Sequence, residues 1–164
     1  MHARIAKVDD MTIRTALLAD HANAIKAIAR LMEEEWSDWY RPGYASAAQD
    51  LQARMQRDRL PLGLVALADE QAVGTCALTA PSGGLETERT PWLGGLLVAP
   101  AHRRRGVGKA LLQRSQEEAG RLGFDRIYAL TAAAHALFLH EGWELVETII
   151  LDDEPHGIYA IATA

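Results

Sequence analysis

One cysteine in 164 residues, Cys76, excludes an internal disulfide and points to a reducing compartment. It stands in the strand-like run Val73-Gly74-Thr75-Cys76-Ala77-Leu78, with no histidine or asparagine context to mark a nucleophile, so it reads as a buried structural thiol. Basic residues are outnumbered, 17 Lys and Arg against 22 Asp and Glu, and the net charge of -5 argues against general nucleic-acid binding. No apolar run approaches the roughly 20 residues that span a bilayer, so no membrane partner is expected. Residues 1–10 carry charges throughout and lack the apolar centre of a signal peptide. They read as a mobile extension ahead of one domain over residues 11–164, and a cytoplasmic location is the expectation. Repeats and low-complexity tracts are absent. What is there is an apolar fraction of 49%, ordinary for a globular chain long enough to bury a full core.

The informative stretch runs from Leu96 to Leu112. An apolar strand ends at Pro100, an Arg-rich turn with Gly106 and Gly108 follows, and a helix begins with Val107, Ala110 and Leu111 on its apolar side. Such a turn aims backbone N–H groups at one spot, and the helix N-terminus adds partial positive charge there. The two glycines let an anion approach without a β-carbon in the way. The stretch therefore reads as a phosphate or pyrophosphate cradle; the plain alternative is a surface turn with a solvated Arg run. A P-loop needs Ser or Thr after Gly-Lys, but Ala110 follows Gly108-Lys109, and Arg103 stands where its first Gly belongs. A Rossmann fingerprint needs a third Gly at the position of Leu111.

What remains is R-x-x-G-x-G, matched by Arg103, Gly106 and Gly108 behind a V-x-P-x-x-R lead-in from Val98. This closely resembles the acyl-CoA signature of the GNAT superfamily of N-acyltransferases. Element order agrees. A strand over Met11–Thr15 leads to a helix from an Asp20 N-cap to about Trp36, with Ile25, Ile28, Ala29 and Met32 on one face. A second helix is expected from Ser46 to about Asp58, then a hairpin of 62–68 and 71–80 turning at Asp69-Glu70. Trp92–Val98 is the next strand, where Gly94-Gly95 suggests a bulge. The cradle helix runs to about Leu122 with Gly123 as its C′ residue. A strand over 125–131, a short helix over 133–140 and strands over 143–151 and 157–163 follow. The order β-α-α-β-β-β-α-β-α-β-β predicts an α/β (α+β) fold with a mixed central sheet. It is the order the GNAT fold would give, and the resemblance implies a V-shaped opening between the strands flanking the acyl-CoA site.

The resemblance implies acetyl-CoA as cofactor. Its pyrophosphate would sit on the N–H groups of residues 104–109, with Arg103, Arg104, Arg105, Gly106, Val107, Gly108, Lys109 and Ala110 forming the cradle. Its amide arm would pair with Leu96, Leu97 and Val98 as an added strand. The backbone N–H near Val98 would stabilise an oxyanion while an amine attacks in a ternary complex. Thr131 and Phe138 stand where the family often has an Asn and a Tyr; the Tyr would be the acid for the leaving thiolate, and Phe138 would still pack on the CoA arm. His140 is a substitute acid or a helix-surface residue. No carboxylate lies on the strand before the cradle, so Glu86, Glu88 and His156 are the candidate bases, and His102 is read as lying on the cradle's outer surface. Trp36, Trp39 and Tyr40, with Tyr44 and the acids Glu33, Glu34, Glu35 and Asp38 nearby, suit a cationic amine or else a core and a solvated face. No residue is assigned to a metal.

The function implied is N-acetyl transfer to a primary amine of a small molecule or peptide. Two rivals stand beside it: a non-catalytic acyl-CoA-binding or sensing module, and a nucleic-acid-binding domain using Arg103–Arg105. The second conflicts with the acidic net charge. Homodimers are common for such folds. The residues select no acceptor, acyl length or oligomeric state.

Overall fold

The run Leu62–Ala68 is apolar at six of its positions and buried at all seven, which makes it the centre of the molecule. The structure is a computed structural model describing residues 12–81 and 85–163; the extension expected over residues 1–10 lies outside the described residues. The elements are β1 (Ile13–Leu17), α1 (Ile25–Glu35), α2 (Ala47–Ala53), β2 (Leu62–Ala68), β3 (Gln71–Thr79), β4 (Trp92–Val98), α3 (Val107–Arg121), β5 (Arg126–Thr131), α4 (His135–His140), β6 (Glu144–Leu151) and β7 (Glu154–Ala162). This is the order expected from the sequence.

The seven strands form one mixed sheet in the order β1-β2-β3-β4-β5-β7-β6. All neighbours are antiparallel except β4 and β5, the two ends of the β-α-β unit around α3. Because β2 lies inside the sheet with helices over both faces, alternation sends its side chains into two cores. Leu62, Leu64, Ala66 and Ala68 join Val107, Leu111, Leu112 and Phe138 on one face. Val65 and Leu67 join Ile25, Ile28, Ala29, Met32 and Leu51 on the other. Removing one such leucine side chain costs about 2–5 kcal/mol. Cys76 is fully buried in the first core, and burial pushes its thiol up to about 12.

Gly74 packs closely against the start of α3. A β-carbon there would stand 3.0 Å from Val107 Cγ1 and 3.1 Å from the Leu97 carbonyl oxygen. The other end of α3 is tied by charge: buried Glu118 accepts from Arg114 Nε at 2.9 Å and Arg121 Nε at 2.7 Å, and Arg114 Nη1 donates to the Thr15 carbonyl at 2.8 Å.

Three local expectations are corrected. Asp20 does not cap α1: two short 3₁₀ turns intervene, Ala24 precedes the helix, and the Asp20 carboxylate pairs with Arg57 instead. The helix capped by Ser46, whose side chain accepts from the Gln49 N–H, stops at Ala53 rather than Asp58, because Met55 turns to bridge with Leu62. The last hairpin turns on Asp152 and Asp153 alone, with φ +50 and +63, a two-residue turn of the primed kind. Strand β7 therefore starts at Glu154, and His156 lies within it opposite Ile149.

Candidate active site

The parallel ladder between β4 and β5 has two rungs, Trp92 opposite Tyr128 and Leu93 opposite Ala129. Beyond Leu93 the strands part. The cleft between them, about 560 Å³, is lined by Gly94, Gly95, Leu96, Thr131, Phe138 and His156 among others.

A change of phase in β4 equips this cleft. The Tyr128 N–H donates to the Pro91 carbonyl at 3.0 Å, so at this end the odd-numbered backbone groups of β4 face β5. At the far end the Ala99 N–H donates to the Val73 carbonyl at 2.8 Å, so there the odd-numbered groups face β3. Between them the register slips: Thr75 opposes Leu97 while Ala77 opposes Gly94, which uses one more residue on β4 than on β3. That is the expected bulge, and Gly95 takes φ +60 within it. By alternation the backbone groups of Leu96 and Val98 face the cleft, where no strand pairs with them. Leu97 turns to β3, and its side chain is buried in the second core.

After β4 the chain makes a 3₁₀ turn over Pro100–His102 and then a loop in which Arg104 and Gly106 adopt φ of +64 and +85. Gly106 leads directly into α3, and nothing lies within 4 Å of where its β-carbon would be. The first N–H groups of a helix lack intrahelical partners. Here Gly106, Val107, Gly108 and Lys109 line a cavity of about 510 Å³ together with Arg104 and His102. His102 is thus inside the cradle, not on its outer surface, and its Nδ1 is buried without a hydrogen-bond partner. Arg103 braces the loop: Nε donates to the Val98 carbonyl at 3.0 Å and Nη2 to Glu35 at 3.4 Å. Arg105 is exposed outside this lining, and the Ala110 N–H is already bonded to the Gly106 carbonyl at 3.0 Å.

The three candidate bases separate. His156 lines the cleft, with Nδ1 2.9 Å from the Glu154 carbonyl oxygen. A carbonyl only accepts, so in the neutral ring Nδ1 carries the hydrogen and Nε2 holds the lone pair. Glu86 and Glu88 are exposed and line a different cavity of about 550 Å³, with Trp92, Glu147 and Arg89, which donates to Glu147 at 2.7 Å. Thr131 Oγ1 accepts from the N–H groups of Ala133 and Ala134 at 3.2 and 2.8 Å, holding the turn into α4. Phe138 is only 2% exposed, stacked on Tyr159 and edge-on to Trp143. His140 is exposed at the end of α4, on the rim of the cradle cavity.

Trp36, Trp39 and Tyr40 converge on a third cavity of about 330 Å³, with Met32, Arg54 and Gly95. The Tyr40 hydroxyl donates to Asp50 Oδ2 at 2.7 Å, and burial first, then that bond, push it up to about 12. Of the nearby acids, Glu33, Glu34 and Asp38 are exposed and do not line this cavity. Two participants escape a reading of the sequence. Arg54 reaches Gly95, a residue with which it shares no motif. His135 accepts from the buried Tyr159 hydroxyl at 2.8 Å while its Nε2 donates to the Ala132 carbonyl at 2.9 Å, behind Phe138. Among the described residues no group of His, Cys, Asp and Glu could hold a metal ion, and no helix is long and apolar enough to cross a membrane.

A family model described as the acetyltransferase (GNAT) family matches residues 28–143. Among curated proteins, none matches the sequence. Solved structures do match. An aminoglycoside 6′-N-acetyltransferase complexed with coenzyme A superposes with a TM-score of 0.73 at 15% identity, over 94% of this chain and 98% of that one. The aminoglycoside 6′-N-acetyltransferase from Enterococcus faecium gives 0.66 at 15% identity, over 85% and 90%. The protein yncA from Salmonella typhimurium, solved with its cofactor acetyl-CoA, gives 0.64 at 19% identity, over 94% of each chain. At these identities the likeness is one of fold.

Proposed function

The chain belongs to the GNAT acetyltransferase family, and from that premise we propose that it moves an acetyl group from acetyl-CoA to a primary amine of a small molecule or peptide. The observation that carries this reading is the parting of β4 from β5 beside a bulge, with an anion cradle at one end of the gap and His156 in its wall. The residues fit the cofactor's parts. The unobstructed approach at Gly106 and the cationic Arg104 and Lys109 in the cavity lining suit a pyrophosphate. The backbone of Leu96 and the N–H of Val98, which no strand pairs, suit an arm with amides, the Val98 carbonyl being held by Arg103.

Bound acetyl-CoA would supply an acyl carbon activated as a thioester. We assign His156 Nε2 the proton of the incoming amine, and the Val98 N–H the role of donor to the carbonyl oxygen as negative charge grows there. The amine nitrogen bonds to the acyl carbon, the carbon–sulfur bond breaks, and the thiol sulfur leaves with that electron pair. The amine's surplus proton passes through His156 to solvent, and water protonates the thiolate. Phe138 has no proton to offer, and a thiol with a pKa of about 8.5 leaves without an acid.

Two measurements test the reading. Acetyl-CoA and CoA should each raise the melting temperature by several degrees at about 100 times their dissociation constants, while NAD and ATP should not. A panel of primary amines should then release free CoA thiol. Stabilisation by CoA with no turnover on any amine would leave the chain as an acyl-CoA-binding module. Equal stabilisation by NAD or ATP would remove the cradle assignment itself.

A further inference from the structure

Resting on the acetyl-transfer reading, we infer that the acceptor is an amine that also carries a carboxylate and an apolar body, in chemical class an amino acid, and that Arg54 binds the carboxylate. The cavity beside the cleft has walls of Met32, Trp36, Trp39, Tyr40 and Gly95, and its one charged lining side chain is Arg54. Arg54 Nη1 is buried and has no hydrogen-bond partner. Among the described residues Arg54 takes part in no ion pair. The acid one turn earlier, Asp50, is engaged by the Tyr40 hydroxyl at 2.7 Å. A guanidinium presents five donors in a planar fork that matches a carboxylate, and leaving one of those donors buried and unpaired is costly.

The side chain is held at both ends. Its carbonyl accepts the Gly63 N–H at 2.8 Å, and its Cβ would lie 3.0 Å from a β-carbon at Gly63, so only glycine leaves room for the stem. Its far end rests on the bulge, where Nη1 would lie 3.4 Å from a β-carbon at Gly95. Gly95 and Trp36 belong to this cavity and to the cleft that contains His156. A ligand whose anionic end meets Arg54 is therefore directed along a shared wall toward the base. Trp36 and Tyr40, with Trp39 at 65% exposure on the rim, offer aromatic faces to an apolar body. This adds a carboxylate to the cationic amine expected from the acids of the 33–38 segment, of which Glu33, Glu34 and Asp38 are exposed while Glu35, paired with Arg103, lines the cleft.

The test compares amino acids with their decarboxylated counterparts, phenylalanine against phenethylamine and leucine against isoamylamine, using the full chain and acetyl-CoA. The amino acid of each pair should have the higher kcat/KM, by on the order of 100-fold, through KM. Arg54→Gln should remove that advantage, and Arg54→Lys, which keeps the charge without the fork, should keep part of it. Acetyl-CoA should still stabilise both variants, which establishes that they fold. A second readout is independent of turnover: amino acids should raise the melting temperature of the CoA-bound protein, and Arg54→Gln should abolish the rise. If that rise appears without turnover, the carboxylate site stands and the transferase reading falls. Turnover in which the decarboxylated amines equal or surpass the acids, an Arg54→Gln that lowers both alike, or no rise with any amino acid would overturn the inference.

Discussion

His156 Nδ1 lies 2.9 Å from the carbonyl oxygen of Glu154, two residues back on the same strand. The bond costs the ring its freedom to flip and leaves one nitrogen, Nε2, as acceptor. His156→Asn should therefore lower kcat by about 10²–10⁴-fold, while the melting-temperature rise with CoA is unchanged. If Glu86→Gln or Glu88→Gln carries the loss instead, deprotonation occurs from the neighbouring cavity.

Gly106 combines φ +85 with an open approach to the cradle. Gly106→Glu adds a side chain where L-residues are strained and places a negative charge at the pyrophosphate's position. Calorimetry should find CoA affinity reduced at least tenfold. Undiminished affinity would mean that the anion binds elsewhere.

Gly74→Ala puts a carbon 3.0 Å from Val107 Cγ1 and 3.1 Å from the Leu97 carbonyl, so these neighbours must give by a few tenths of an ångström. The expected cost is about 1–3 kcal/mol, seen as a fall of several degrees in melting temperature. Gly108→Ala, whose nearest neighbour would be 3.7 Å away, should fold as the parent does and isolates the effect of crowding from that of losing a glycine.

Alkaline stability follows from two neutral groups. Burial raises the Cys76 thiol from 9.0 to about 12, and burial with the Asp50 bond raises the Tyr40 hydroxyl from 10.0 to about 12. Between those limits the unfolded chain loses these protons before the folded one does. Stability contributed by both groups is thus complete below pH 9 and declines toward pH 12. Urea midpoints measured across that range should fall less steeply for the Cys76→Ala/Tyr40→Phe double variant. Equal slopes would show that neither group titrates late.

The sequence carried the fold to within a few residues wherever local chemistry decides structure. Asp69-Glu70 and Gly123 ended elements where expected, and Gly94-Gly95 marked the bulge. It misled where a distant partner wins. Asp20 looked like a cap until Arg57 took its carboxylate, and α2 ended early because Met55 met Leu62. The cradle was legible because its glycines and arginines are contiguous. The environment of Arg54 was not, since it is assembled from α1, α2 and a bulge far along the chain. His102 and His156 were visible as residues, but which surface each one faces depends on how the strand before it enters the sheet.

Two rungs join one leaf of the sheet, β1 to β4, to the other, β5 to β7. Like a book with most of its binding cut, the sheet is continuous at one end and divided at the other. An extended guest seated between the leaves supplies the missing stitches, so loading the protein and stiffening it become a single event. Amide exchange along β5 should slow when the gap is filled, and each departure of product should return that strand to its looser state.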